Sequence, residues 1–266
     1  MSTTEIPAAL VKELRDLTGA GMMDCKRALV ETGGDLEEAR KLLREKGLAD
    51  AAKREGKETT EGVVLARVDG EVGAIVAVGC ETEPVSGNDE FRDFAQHLLD
   101  VVFLEGPEAV PTFEEERVAL VAKLGENVVP VGAERYAAGE GEVLASYIHP
   151  PAQKIGVLVL ARATPELARM VAMHVAAARP RYVSRDDVRA EDVETEREIY
   201  EKLPQVTEKP EETRGKIVDG MLAKRFFATT VLLDQDWIHD PSLTVGRALA
   251  ENDAEIKAFA LYNVGR

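Results

Sequence analysis

The segment GVVLARVDGEVGAIVAVG (62–79) decides the fold class, because its pattern is that of a β-hairpin. Two apolar runs flank Asp69-Gly70, and Asp-Gly between such runs is a strong signal for a tight turn between antiparallel strands. The second run stops at Cys80, a polar loop (81–87) follows, and NDEF (88–91) predicts the start of a helix reaching about residue 104. A strand hairpin followed by a helix is typical of an α+β domain.

Composition and charge limit the classes of function. The chain has 266 residues, a formal net charge of -16 and two widely separated cysteines. Proteins that bind a phosphate backbone are normally basic, so we expect no direct nucleic-acid partner. No apolar run approaches the ~20 residues that a membrane span needs, and the first residues lack a signal-peptide pattern. The cysteines have no metal-ligand spacing and suit a reducing compartment. We therefore expect a cytoplasmic protein with no membrane contact.

The first part of the chain predicts a small helical module, residues 1–47. Its first helix places Leu10, Val11, Leu14 and Leu17 on one face. Two further helices are expected to begin at Asp24 and Asp35, and Gly47 is the predicted end of the third helix. Three short helices in so few residues resemble a ubiquitin-associated-type fold. Residues 48–61 lose the apolar period and are interpreted as a linker.

A weak internal repeat predicts two related α+β subdomains, residues 62–140 and 141–266. Residues 142–179 again have the pattern of two strands and a helix, and Gly73 aligns with Gly156 while Phe94 aligns with Val171. The first pair is 21 residues apart and the second 15, so the extra residues fall in the polar loop after Cys80. An insertion that the scaffold does not require is a common place for function.

Other patterns complete the predicted elements. Thr112 and Glu115 have the spacing of a capping box, which predicts a helix that begins at Thr112. Residues 190–226 are polar in composition, and prolines interrupt them near the middle. This pattern predicts a protruding helical hairpin with the prolines at its tip. A helix at about 244–252 and a strand at 255–264 close the chain.

The sequence lacks the patterns of common active sites. It contains no phosphate-binding glycine loop, no GxGxxG after a strand, no HExxH and no nucleophile elbow. Cys25 has Lys26 and Arg27 beside it, which could lower its pKa, but a packing cysteine is the favoured interpretation. We therefore expect a protein that is not an enzyme and that has no cofactor and no metal site.

Five blocks of the sequence resemble the bacterial elongation factor Ts family, in order over nearly the whole chain. They are LVKELRDLTGAGMMDCKRAL (10–29), FEEERVALVAKLGENV (113–128), IGVLV (155–159), MHVAA (173–177) and KIVDGMLAKRFF (216–227). The resemblance implies an N-terminal three-helix module, a core of two related α+β subdomains with antiparallel sheets, and a protruding helical hairpin.

The same resemblance implies a function in translation elongation. It implies a guanine-nucleotide exchange factor for elongation factor Tu, which binds the GDP-bound and nucleotide-free partner and promotes GDP release by disturbing its Mg²⁺ and phosphate site. Such a factor breaks no covalent bond, which is consistent with the missing active-site patterns. A metal-dependent hydrolase that uses the Glu-rich segments is disfavoured.

The resemblance also implies which residues contact the partner outside the loop after Cys80. They are Arg15, Met22, Met23, Ile155, Gly156 and His174. From the residues alone, either methionine could equally be core, and Ile155 and Gly156 would pass as ordinary strand residues. His174 would be a core histidine, since it shares a helical face with apolar residues.

The loop after Cys80 corresponds to the family's exchange finger, and here the sequence departs from the family motif. The family has Thr-Asp-Phe-Val, whereas this chain has Thr82-Glu83-Pro84-Val85. Glu83 keeps the acid on a longer stem, but Pro84 removes an aromatic whose burial would amount to roughly 150–250 Å². Phe91 could replace that aromatic only if the loop were remodelled. The departure leaves an alternative function, a chaperone or interaction protein that binds elongation factor Tu with weakened exchange.

Overall fold

The computed structural model describes residues 6–265, and its first unit is a bundle of three helices. These are α1 (Ala8–Thr18), α2 (Met22–Glu31) and α3 (Leu36–Arg54). Asp35 caps α3 by accepting from the Glu38 backbone N–H, as predicted, whereas Gly21 rather than Asp24 precedes α2. Buried side chains from all three helices form one cluster that includes Cys25, so this cysteine is a packing residue. The predicted three-helix module is confirmed.

Helix α3 does not end at Gly47, and the prediction of a helix stop there is wrong. The helix continues to Arg54, so only residues 55–60 of the predicted linker separate it from the first strand. A Cβ at Gly47 would lie 3.2 Å from the Cβ of Ala122. Glycine in a helix costs about 1 kcal/mol relative to alanine, but here it lets two helices approach closely. Tertiary packing therefore overrides the local stop signal.

The first half of the core is a three-stranded antiparallel sheet covered by helices on one face. Its strands, in the order β1-β2-β3, are β1 (Glu61–Asp69), β2 (Val72–Cys80) and β3 (Val128–Ala137). Between β2 and β3 the chain forms α4 (Glu83–Ser86), α5 (Asp89–Glu105), a 3-10 turn (Pro107–Phe113) and α6 (Glu114–Leu124). The predicted hairpin is confirmed, and Gly70 in its turn has φ 59°, a region that favours glycine.

The predicted capping box at Thr112 is not formed. Helix α6 begins at Glu114, and the Thr112 hydroxyl donates to the carbonyl of Ala109 at 2.6 Å instead of accepting from a helix N–H. The residues before Glu114 belong to the 3-10 turn, which uses the threonine for its own closure. A local competitor for the same hydroxyl therefore displaces the cap.

The second half of the core repeats this plan. Strands β4 (Val143–Ile148), β5 (Ile155–Arg162) and β8 (Glu255–Asn263) form an antiparallel sheet in the order β4-β5-β8, which α7 (Pro165–Ala178) covers. In each sheet the second strand of a hairpin is central and a strand from later in the chain completes the edge. This similarity supports the predicted repeat, while the subdomain boundaries at 140 and 141 stay a prediction.

The two sheets pack face to face. The core therefore has four layers: the helices of the first half, the first sheet, the second sheet and α7. The buried residues between the sheets come from both halves, and they are Val64, Ile75, Ala77, Leu158, Ala260 and Val264. A Cβ at Gly73 would lie 3.0 Å from Leu158 Cδ1, and one at Gly156 would lie 2.4 Å from Val64 Cγ1. The two glycines aligned by the repeat therefore mark equivalent points of close approach between the sheets.

The remaining elements lie between α7 and β8. They are α8 (Ala190–Glu201), α9 (Pro204–Thr207), α10 (Glu211–Met221), a π-helical turn (Leu222–Phe227), α11 (Ala228–Thr230), β6 (Asp236–Trp237), β7 (Asp240–Thr244), α12 (Val245–Ala250) and two 3-10 turns (Arg185–Asp187 and Leu232–Asp234). The helices of the predicted hairpin share a small apolar cluster of their own. Within residues 6–265, no helix combines the length and apolarity needed to cross a bilayer.

Candidate partner-binding site

The finger, residues 81–88, leaves the sheet at the end of β2 and forms the single turn of α4. Thr82 is the N-cap residue of α4, and Pro84 lies in its first turn. Proline is tolerated there because a first-turn N–H has no partner within the helix and because the fixed φ of proline is close to the helical value. Glu83 and Pro84 are exposed, whereas Val85 is half-buried and packs against the first-half core. Of the four predicted finger residues, Thr82, Glu83 and Pro84 therefore lie at the surface, and Val85 anchors the turn by packing against the core.

The base of the finger is held by contacts with Thr82. The Thr82 backbone N–H donates to the Glu126 carboxylate at 3.0 Å, and its hydroxyl donates to the same carboxylate at 2.6 Å. The buried Cys80 thiol donates to the Thr82 carbonyl at 3.4 Å. Burial raises the pKa of Cys80 to about 12, so this thiol stays protonated and serves as a donor.

The acid of the finger is accessible, but the lost aromatic has no replacement in this conformation. Glu83 is exposed, and its carboxylate forms no ion pair with any residue in the part of the chain that the structure describes. Phe91 is fully buried in the first-half core. It cannot take the place of the aromatic that Pro84 removes without unpacking that core.

A second surface, the docking patch, consists of Leu17, Met22 and Met23 at the turn between α1 and α2. Their exposed fractions are 56%, 60% and 64%. Leu17 belongs to the predicted apolar face of α1 but is exposed at the end of that helix, and neither methionine is core. Clustered exposed apolar side chains mark interaction surfaces, and methionine adapts readily to a partner. Arg15, two residues before Leu17 on α1, is also exposed.

The strand pair Ile155–Gly156 lies at the start of β5. Gly156 is buried between the two sheets, and the close approach of Val64 explains why a side chain is excluded there. Ile155 is half-buried and packs against the second-half core. Gly156 therefore has a packing role, and a direct role of either residue in partner binding stays a prediction.

His174 is fully buried under the β6–β7 hairpin, as the residues alone indicated. The ring Nε2 and Gln235 Oε1 are 2.9 Å apart, and the backbone N–H of Ile238 donates to Nδ1 at 3.4 Å. Nε2–H is therefore the donor in a neutral ring, and the Trp237 ring centre lies 5.2 Å away. Burial lowers the pKa of His174. In this conformation the contact with a partner implied by the resemblance would have to pass through the hairpin that covers it.

Helix α6 connects the finger with the docking patch. Just after its end, Glu126 accepts from the Thr82 backbone N–H at the base of the finger, and Lys123 in its last turn forms an ion pair with Glu90 of α5 at 2.6 Å. The Lys123 Nζ is also 3.4 Å from the position of a Cβ at Gly19, in the turn that carries the patch. The end of α6 therefore contacts both the base of the finger and the turn that carries the docking patch. The sequence did not indicate this, because the contacts join residues far apart in the chain.

An exposed acidic turn and an exposed methionine patch, both in contact with the end of α6, are features expected of a protein that docks on another protein. The family model described as elongation factor TS matches residues 81–266. Proteins named elongation factor Ts from Cronobacter sakazakii, Serratia proteamaculans and Escherichia coli (strain K12 / DH10B) are each 44% identical over 266 residues, which is 98% of this chain and 92% of each relative. The chain belongs to the elongation factor Ts family.

Proposed function

We propose that this chain is the guanine-nucleotide exchange factor of elongation factor Tu and promotes GDP release during translation elongation in the cytoplasm. The observation that carries the proposal is that the end of α6 contacts both the base of the finger and the turn that carries the docking patch. Two surfaces on a common frame can engage a partner at two places at once. One contact can then hold the partner while the other alters its nucleotide site.

The energetics of exchange follow from linkage. If the factor weakens the binding of GDP to the partner by a given ratio, GDP weakens the binding of the factor to the partner by the same ratio. Each tenfold weakening of GDP requires about 1.4 kcal/mol of differential interaction. The docking patch supplies binding energy to both the GDP-bound and the nucleotide-free partner. The finger supplies the contact whose strength differs between the GDP-bound and the nucleotide-free partner.

The chemistry of the finger suits a disturbance of bound Mg²⁺. The Glu83 carboxylate stands exposed in the first turn of α4, where it can repel the anionic ligands of the partner's Mg²⁺ or engage the groups that hold it. Pro84 restricts the turn before binding, and such a restriction typically saves ~0.4–1 kcal/mol of ordering entropy. A preformed turn therefore offsets part of the binding energy lost with the aromatic.

A second candidate function is supported by Pro84 itself. Without the aromatic side chain, the chain could bind elongation factor Tu as an interaction protein or chaperone and exchange its nucleotide only weakly. In that case the docking patch would carry nearly all of the contact. The finger would then be a passive part of the interface.

The release of fluorescent mant-GDP from purified elongation factor Tu separates the two functions. An exchange factor is expected to raise the release rate until the rate saturates with factor concentration. A complex that elutes together on size exclusion but leaves the release rate unchanged would favour the binding protein. If the chain forms no complex and leaves the rate unchanged, both proposals are wrong.

A further inference from the structure

We propose that Glu81 is a positioning residue for exchange, which couples the end of α3 to the finger. The proposal rests on the proposed function and adds a residue that precedes the Thr82–Val85 motif. Glu81 lies between the last residue of β2 and the N-cap of α4. Its side chain therefore stands where the chain turns from the sheet into the finger.

The Glu81 carboxylate accepts from two elements that are distant in the sequence. Arg54 Nη1 donates to Glu81 Oε1 at 2.9 Å, and the Asn127 backbone N–H donates to the same oxygen at 2.7 Å. Lys57 Nζ lies 3.8 Å from the other oxygen. Only 19% of the Glu81 side chain is exposed, which distinguishes this pair from surface ion pairs that contribute little.

The groups that bind Glu81 are fixed themselves. Arg54 is the last residue of α3, and Asn127, which is 2% exposed, donates from its side chain to the Lys57 carbonyl at 2.9 Å. The Thr60 hydroxyl donates to the Glu81 carbonyl at 3.3 Å. One carboxylate thus joins the end of α3, the segment 55–60, the turn before β3 and the finger.

The charge of Glu81 is maintained at neutral pH. Burial alone would raise the pKa of Glu81, but the bonds from Asn127 and Arg54, with the positive charges of Arg54 and Lys57, hold that pKa below its usual range. The carboxylate therefore remains an ionised acceptor, which is the stronger form of this bond. Loss of the charge would leave an oxygen acceptor for Asn127 but would weaken the charge-assisted bond from Arg54.

The finger is too short to fix its own orientation relative to the sheet. Helix α4 is a single turn, and isolated helices of that length are unstable in water. Val85 packs against the core, and two contacts fix the base of the turn: Glu126 accepts from Thr82, and Glu81, the residue before Thr82, accepts from Arg54 at the end of α3. Because α3 is also part of the module that carries the docking patch, a partner bound at the patch meets a finger whose base is fixed to the same helix.

Two variants that break the same contact, with a matched control, test the proposal. Glu81→Gln keeps the size of the side chain and an acceptor for Asn127 but loses the charge that binds Arg54. Arg54→Met removes the other partner. Lys53→Met removes the same charge one residue earlier, where Lys53 pairs with Asp50 on the exposed side of α3.

The readout is the dependence of mant-GDP release on factor concentration. We expect both Glu81→Gln and Arg54→Met to lower the maximal release rate by about tenfold, which corresponds to about 1.4 kcal/mol. The half-saturating concentration should change by less than about threefold. The double variant should be no slower than either single variant, because both remove one contact. Lys53→Met should behave as the unchanged protein.

Hydrogen–deuterium exchange of the free protein tests the positioning without any exchange activity. Amides of residues 82–88 should exchange faster in Glu81→Gln and Arg54→Met, while those in the middle of β2 stay protected. Equal loss of protection in β2 and the finger would indicate general destabilisation and overturn the proposal. Wild-type maximal rates together with wild-type protection at 82–88 would also overturn it. If the unchanged protein releases no GDP, the proposed function fails, whereas the protection data still decide the positioning.

Discussion

His174→Ala is expected to lower the free energy of unfolding by roughly 2–5 kcal/mol, the range for removing a large buried side chain. The change leaves a cavity beneath the β6–β7 hairpin, and it removes the partners of Gln235 Oε1 and the Ile238 N–H. A buried polar group without a partner adds to the cost. Urea unfolding followed by circular dichroism measures the effect.

His149→Ala is the matched control, because His149 is exposed and, within residues 6–265, its side chain forms a hydrogen bond with Tyr147 alone. Its effect on stability should stay within about 0.5 kcal/mol, as for most surface substitutions. If His174→Ala proved as stable as the unchanged protein but exchanged GDP slowly, the buried interpretation would be wrong. His174 would then have to face the partner directly.

The pH dependence of stability has a defined sign for this residue. Burial lowers the pKa of His174 in the folded state, so the unfolded chain binds its proton more readily. The contribution is fully present above the unfolded pKa of about 6.5 and is lost as the pH falls below it, by at most about 1.4 kcal/mol per pH unit. The unfolding free energy should therefore drop more steeply between pH 7 and pH 5 in the unchanged protein than in His174→Ala.

Met22→Ser combined with Met23→Ser is expected to raise the half-saturating concentration for exchange by about 10- to 100-fold. This range corresponds to about 1.4–2.8 kcal/mol for the pair, roughly what the full burial of one methionine side chain contributes, since we expect each of the two to be only partly buried in the interface. The melting temperature should not change, since both side chains are exposed in the free chain. Titrations of mant-GDP release and of complex formation measure the effect.

Leu104→Ser is the control for this pair of substitutions. Leu104 is 71% exposed on α5, outside the docking patch and the finger. It should leave the half-saturating concentration unchanged. A Met22→Ser/Met23→Ser protein that reached half-saturation at the same concentration as Leu104→Ser would show that the docking patch does not bind the partner.

The elements predicted from the sequence are those whose signals are local. The hairpin at 61–80, α5, α7, the helical hairpin and the final strand follow from periodicity and turn residues over short windows. Strand β3 is not among the predicted elements, and Pro130 within it is a residue type that argues against a strand. It is tolerated there because β3 is an edge strand and its pairing with β2 is irregular at this point.

The candidate site was only partly predictable for a related reason. The core interpretation of His174 followed from apolar neighbours on its own helix, so the local pattern was sufficient. The exposure of Leu17 was missed because the end of a helix need not face the core that its earlier turns face. Glu81 gave no signal at all, since Arg54 and Asn127 lie 27 and 46 residues away in the sequence.

The most direct test of the account is mant-GDP release from elongation factor Tu at saturating factor over a titration of free Mg²⁺. The comparison is between the unchanged protein, Glu83→Ala and Glu58→Ala, a control that removes an exposed carboxylate outside the finger. The account predicts that added Mg²⁺ opposes the unchanged protein and Glu58→Ala. Glu83→Ala should be slower by about tenfold or more, equivalent to about 1.4 kcal/mol. A Glu83→Ala protein that released GDP at the wild-type rate at every Mg²⁺ concentration would contradict the claim that the finger drives exchange.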